Sequence, residues 1–150
     1  MRTGAGGGAL LESRRVCELH SDFCCTNPNL QGRELRYGFS MKTSGSEDAG
    51  QGIPLFDGVI KHDLSLGKVA GFLQLKEGRV AGDMAFVPDE GRGEGKQSDG
   101  GWLIYFTHSL LDDKTWLEIV DAENIEGGSV AEIELPFIPI GFHALFLPSP

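Results

Sequence analysis

Gly101-Trp102-Leu103-Ile104-Tyr105-Phe106-Thr107-His108 and Thr115-Trp116-Leu117-Glu118-Ile119-Val120-Asp121, parted by the turn-forming run Leu110 to Lys114, decide the fold of this chain. Both runs are dense in β-branched and aromatic residues, and the charged segment between them is long enough to reverse the chain. A third run at 129–135 continues the pattern, and Asp83 to Val87 adds a fourth. Together they read as an antiparallel meander of four strands. Working outward, the same alternation and turn punctuation predict strands near 15–20, 34–41, 56–63, 69–75, 82–87 and 141–147. The stretches 42–52 and 89–100 carry glycine and charge without periodicity and read as exposed loops. No amphipathic helix is evident, so the chain is all-β. Four-stranded antiparallel sheets repeated around an axis are the blades of a β-propeller. No internal repeat fixes a blade count.

With 150 residues, 40% of them hydrophobic and 23% charged, the chain has the composition of a soluble globular domain. Acidic residues outnumber basic ones 22 to 13, for a formal net charge of -9. This balance excludes nucleic acid as a natural partner. No apolar run is long enough to span a bilayer. The 3 cysteines, Cys17, Cys24 and Cys25, fall in one short segment and do not form a secreted disulfide framework. A reducing, intracellular compartment is expected, with cytoplasm and plastid not distinguished. Cys17, His20, Cys24 and Cys25 also admit a zinc reading, although their spacing matches no common finger. Buried or edge thiols are the ordinary alternative. Residues 1–15 are glycine-rich and read as a flexible or artificial N-terminus, with the folded part at 16–150.

His143 stands in the apolar run Leu135-Pro136-Phe137-Ile138-Pro139-Ile140-Gly141-Phe142-His143-Ala144-Leu145-Phe146. The prolines interrupt any regular central strand, so a bend is expected there and a new strand from about Gly141. In strand geometry His143 shares a face with Gly141 and Leu145. The glycine leaves room beside the imidazole. That suits an inward-facing metal ligand, and equally a core histidine bonded to a backbone carbonyl.

The order of motifs adds a resemblance. Asp22-Phe23-Cys24-Cys25-Thr26-Asn27 is followed by Arg36-Tyr37-Gly38-Phe39 and by Gly58-Val59-Ile60-Lys61-His62-Asp63-Leu64. Then come Gly82-Asp83-Met84-Ala85-Phe86-Val87-Pro88, Asp99-Gly100-Gly101-Trp102-Leu103, Leu117 to Ala122, and Gly141-Phe142-His143. In this order the string resembles the C-terminal part of the carotenoid oxygenases, the family of the retinal pigment epithelial membrane protein. The resemblance runs from about residue 16 to the end.

That resemblance implies a seven-bladed β-propeller several times longer than this chain, of which the chain would supply the last two blades and a closing strand. It implies a non-haem iron(II) dioxygenase that cleaves a carbon–carbon double bond of a carotenoid, apocarotenoid or stilbene, with dioxygen as co-substrate. Peripheral membrane attachment of the longer protein is left open. In the family four histidines hold the iron, and His143 matches the last of them by its Gly-Phe-His context. His20, His62 and His108 match no ligand position and are expected at the surface or at strand edges. Asp22 and Asp83 fall where the family has glutamates that hydrogen-bond ligand histidines. Each is one methylene shorter, which leaves open a role behind the ligand, a water bridge, or an ordinary turn aspartate. One ligand of four predicts no activity in the isolated chain. A non-catalytic, propeller-derived binding module is the alternative.

Overall fold

The computed structural model describes residues 15–45, 55–92, 99–141 and 143–147. Eight antiparallel strands form one sheet: β1 (Ser21–Cys25), β2 (Tyr37–Thr43), β3 (Phe56–Asp63), β4 (Lys68–Gln74), β5 (Arg79–Pro88), β6 (Gly101–Ser109), β7 (Thr115–Asp121) and β8 (Ser129–Leu135). Two short 3-10 turns, Pro28–Leu30 and Ile125–Gly127, complete the elements among the described residues. There is no α-helix among the described residues.

The pairing resolves into two consecutive meanders. Strands β1 to β4 pair in sequence, and so do β5 to β8. They meet through a single backbone pair, Phe56 of β3 with Ala81 of β5. The core lies between them: Phe39 and Met41 from β2, Val59 from β3, Met84 and Phe86 from β5, Leu103 and Tyr105 from β6. Side chains alternate across each strand. Leu103 and Tyr105 are therefore buried, whereas Trp102, Ile104 and Phe106 on the opposite face are only half-buried. Each large apolar side chain buried here contributes about 1.5–3 kcal/mol.

Buried charges brace the sheet, one between the meanders and one inside the second. Lys61 of β3 reaches across the core edge and donates to the carbonyls of Ala122 (2.8 Å) and Glu123 (3.1 Å), and to Asp99. Its ammonium also lies over the Tyr37 ring. Within the second meander, the buried Glu118 carboxylate accepts from Arg79, Thr107 and Ser129 at 2.7–2.8 Å. Each buried charge thus has donors or acceptors enough to replace water.

Several sequence expectations change. The first strand is at 21–25, not 15–20, because its partner is the segment Phe39–Lys42 of β2, whose register selects it. The expected strand at 141–147 is absent among the described residues of that segment. Pro136 ends β8, and the chain then crosses the sheet without a ladder of backbone bonds. His143, expected to face inward, has a side chain 71% exposed. Lys42 and Thr43, assigned to a loop, belong to β2. Of the histidines expected at the surface or at edges, His20 is exposed. His62 is half-buried on β3, a strand paired on both sides, and bonds Ser40 at 2.7 Å. His108 is buried, with 6% exposure.

Candidate functional site at the inner edge of the meanders

A bulge in β5 sets the site. Between Ala81 and Met84 the register with β6 slips, so Gly82 and Asp83 stand out of the regular pairing. Bulges of this kind re-aim a side chain. The residues after β8 form a strap that crosses this bulge. A Cβ at position 82 would lie 2.5 Å from the Gly141 carbonyl oxygen, so only glycine lets the strap pass.

Hydrogen bonds to side chains pin the strap at both ends. The Thr115 hydroxyl, at the start of β7, accepts from the Ile138 N–H at 3.3 Å. At the far end Asp83 Oδ2 accepts from the Ala144 N–H at 3.1 Å and lies 3.3 Å from His143 Nδ1. The other carboxylate oxygen accepts from the Met84 N–H at 2.8 Å, which fixes the rotamer. With the carboxylate as acceptor, His143 Nδ1 carries a proton, and in the neutral ring Nε2 then carries the lone pair. Edge-on contact with Phe23 of β1, centroids 5.5 Å apart, further orients the imidazole.

Asp83 and His143, 60 residues apart, are thus brought together. Asp22 is not brought to a histidine among the described residues: it is exposed, and its carboxylate accepts from the Phe23 N–H at 2.8 Å. Phe142 lies outside the described residues. Cys25, half-buried on β1, has its thiol pushed up to about 12 by burial and then by the Asp83 carboxylate, which makes it a poor metal ligand. No three His, Cys, Asp or Glu side chains gather around one point among the described residues. The zinc reading of Cys17, His20, Cys24 and Cys25 therefore gains no support from geometry.

His108 is the residue whose position the sequence did not disclose. It pairs with Thr115 across β6 and β7. Its Nδ1 lies 3.2 Å from the Thr115 hydroxyl, and its Nε2 has no hydrogen-bond partner among the described residues. Burial lowers its basicity and keeps the ring neutral. Alternation from Phe106 to His108 was the available signal, since it puts both on the face the strap crosses.

The sequence and the fold resemble those of known proteins. The retinal pigment epithelial membrane protein family profile matches residues 4–148. A carotenoid 9,10(9',10')-cleavage dioxygenase of Crocus sativus is 31% identical over 98% of this chain and 27% of its own length. A chloroplastic 9-cis-epoxycarotenoid dioxygenase of Oryza sativa subsp. japonica is 36% identical over 77% of this chain and 20% of its own. Among solved structures, a variant of the Synechocystis apocarotenoid oxygenase superposes with a TM-score of 0.71 at 25% identity, covering 85% of this chain and 25% of that one. The chain spans about a quarter of the length of the curated relatives it matches. Its two meanders correspond to blades of their seven-bladed propeller. The match over nearly its whole length shows that the chain belongs to the retinal pigment epithelial membrane protein family, that of the carotenoid oxygenases.

Proposed function

We propose that this chain is a section of an iron(II)-dependent dioxygenase that cleaves a carbon–carbon double bond of a carotenoid, apocarotenoid or stilbene, and that it supplies one imidazole ligand, His143. Residues 16–150 are its C-terminal part in this reading. The observation that carries it is the contact of His143 Nδ1 with Asp83 at 3.3 Å, in a chain of this family. A carboxylate on one ring nitrogen fixes the tautomer and raises the basicity of the other, which is what a histidine ligand requires.

One imidazole fits one ligand position and does not make a metal centre. The isolated chain is therefore not expected to hold iron. In the complete enzyme the metal would activate dioxygen. This chain's own part is to hold the proton at His143 Nδ1 and to keep the ring aligned through Asp83 and Phe23. Asp22, in this reading, would need a backbone shift or a bridging water to reach a ligand histidine. An intracellular site, cytoplasm or plastid, goes with the proposal, as does peripheral contact with the membranes that store apolar polyenes. No helix among the described residues is long and apolar enough to cross a membrane.

Asp22 bonding its own strand also favours a second reading, a non-catalytic binding module derived from the propeller. One experiment separates the two. Residues 16–147 are grafted in place of the matching quarter of the Synechocystis apocarotenoid oxygenase. Cleavage of an apocarotenoid by the graft is expected. A folded graft that binds iron fully and cleaves nothing would favour the module.

A further inference from the structure

Phe23 sits inside β1 with a φ of 51°, in the left-handed region that bulky side chains rarely enter. The other non-glycine residue there among the described residues is Asp113, in the turn before β7, and aspartate tolerates that conformation through its short polar side chain. A strained aromatic inside a strand persists only where its surroundings hold it. Two features hold Phe23. The register with β2 slips between Asp22, opposite Met41, and Cys25, opposite Phe39, so Phe23 and Cys24 stand against Ser40 alone. The Phe23 N–H also donates to Asp22 Oδ1 at 2.8 Å.

The ring carried on this backbone has two aromatic neighbours. Phe56 of the core lies 4.9 Å away between centroids, and His143 lies 5.5 Å away at an interplanar angle of 72°. Packing on Phe56 alone would be served by any apolar side chain on a relaxed backbone. His143 needs more. Its contact with Asp83 fixes one ring atom and leaves the ring plane free to turn about it, and the side chain is 71% exposed. A flat ring met edge-on restricts that rotation.

We propose that Asp22 and Phe23 act as one positioning unit: the Asp22 carboxylate keeps Phe23 left-handed, and the Phe23 ring so placed sets the plane of the His143 imidazole. The inference rests on the proposed function, in which His143 is a ligand. It gives Asp22 a role that needs neither a backbone shift nor a bridging water. The lone pair of a ligand nitrogen lies in the ring plane, so contacts that fix the plane strengthen metal binding.

The first measurement needs no metal. Cross-relaxation spectra of the natural, metal-free chain should connect the Phe23 ring protons to the His143 ring C–H protons. Asp22→Ala should lose these cross-peaks. Asp22→Asn, whose amide oxygen still accepts from the Phe23 N–H, should keep them. Their absence from the natural chain, their persistence in Asp22→Ala or their loss in a folded Asp22→Asn would each overturn the proposal.

Iron(II) affinity of the graft separates this inference from the reading beneath it. Phe23→Leu keeps apolar bulk without the flat ring and should bind iron about tenfold more weakly than the parent graft. Asp22→Ala should weaken it similarly, and Asp22→Asn should match the parent. A parent without iron, or a His143→Ala variant that keeps it, overturns the ligand reading and this proposal with it. If the parent binds iron and His143→Ala does not, a Phe23→Leu graft as tight as the parent overturns this proposal alone. So does an Asp22→Asn graft as weak as Asp22→Ala, which would mean that the carboxylate charge acts on a histidine directly. The natural chain's spectrum and the Phe23→Leu graft decide even if Asp22→Ala does not fold.

Discussion

Asp83 holds His143 from behind while holding the backbone beside it: one carboxylate oxygen lies 3.3 Å from His143 Nδ1 and 3.1 Å from the Ala144 nitrogen. The same contact therefore orients the imidazole and docks the strap that carries it. Among its described residues the strap has no strand ladder, and these side-chain bonds and those of Thr115 hold it instead. Asp83 itself stays placed because the β5 bulge turns it out of the sheet.

Gly82→Ala tests that docking. The new methyl group would meet the Gly141 carbonyl at 2.5 Å, and that atom is backbone. The strap must lift, at a cost of about 1–3 kcal/mol, the usual range for overpacking. Hydrogen exchange at Ile138 and Ala144 should accelerate, while amides in β6 and β7 keep their protection. Unchanged exchange at both strap amides would mean that the strap is not held over the bulge.

Stability should fall as the solution is acidified, and in two steps. Burial lowers the pKa of His62 and His108 in the folded chain. The unfolded chain therefore takes up protons first, as the pH drops through about 6.5, and unfolding becomes easier from that point downward. Asp63 is shifted down by the Leu66 N–H and then by the Arg36 guanidinium. Its contribution is intact above about pH 4 and is lost below it. Urea midpoints measured between neutral pH and pH 5 should decline in the natural chain, and decline less in His108→Phe. A flat profile over that range would contradict the neutral, buried state of the two histidines.

Lys61→Met should cost about 3 kcal/mol, because it breaks a buried ion pair and leaves Asp99 and two carbonyls without their donor. The loss should show as a lower urea midpoint with a shallower transition, since Lys61 joins the first meander to the turn after β7. A variant as stable as the natural chain would mean that the meanders hold together by apolar contact alone.

The isolated chain should self-associate. Trp102, Ile104 and Phe106 on β6, Leu117 and Ile119 on β7 and the exposed Ile133 on β8 share the sheet face turned away from the core. Phe86, by contrast, is buried on the core side. A neighbouring blade covers such a face in a complete propeller. Size-exclusion chromatography over a concentration series, with a dye for exposed apolar surface, should report oligomers and bright binding. A monomeric, dye-negative chain would mean that this face is already satisfied.

Much of the sheet was legible from alternation and turn residues. Strands 56–63, 115–121 and 129–135 lie where those signals put them. The first strand was misplaced because Val16 to His20 and Ser21 to Cys25 have similar local character, and only the register of β2 chooses between them. The last strand was over-read: the apolar run has strand composition, but Pro136 and Pro139 deny it a ladder. The meeting of Asp83 with His143 spans 60 residues and depends on a bulge, so no local pattern announces it. The family resemblance left open a place for Asp83 behind one of the ligand histidines, without saying which. The burial of Lys61 and His108 depends on which strands stand opposite, and was invisible for the same reason.

The central claim is that His143 is a metal ligand supported by Asp83. The most direct measurement is the iron content of the grafted propeller, purified without oxygen and loaded with iron(II), as the parent graft and as His143→Ala and Asp83→Ala. The parent should bind one iron, His143→Ala should lose it, and Asp83→Ala should bind it about 10- to 100-fold more weakly. A folded His143→Ala graft that retains a full complement of tightly held iron would contradict the claim.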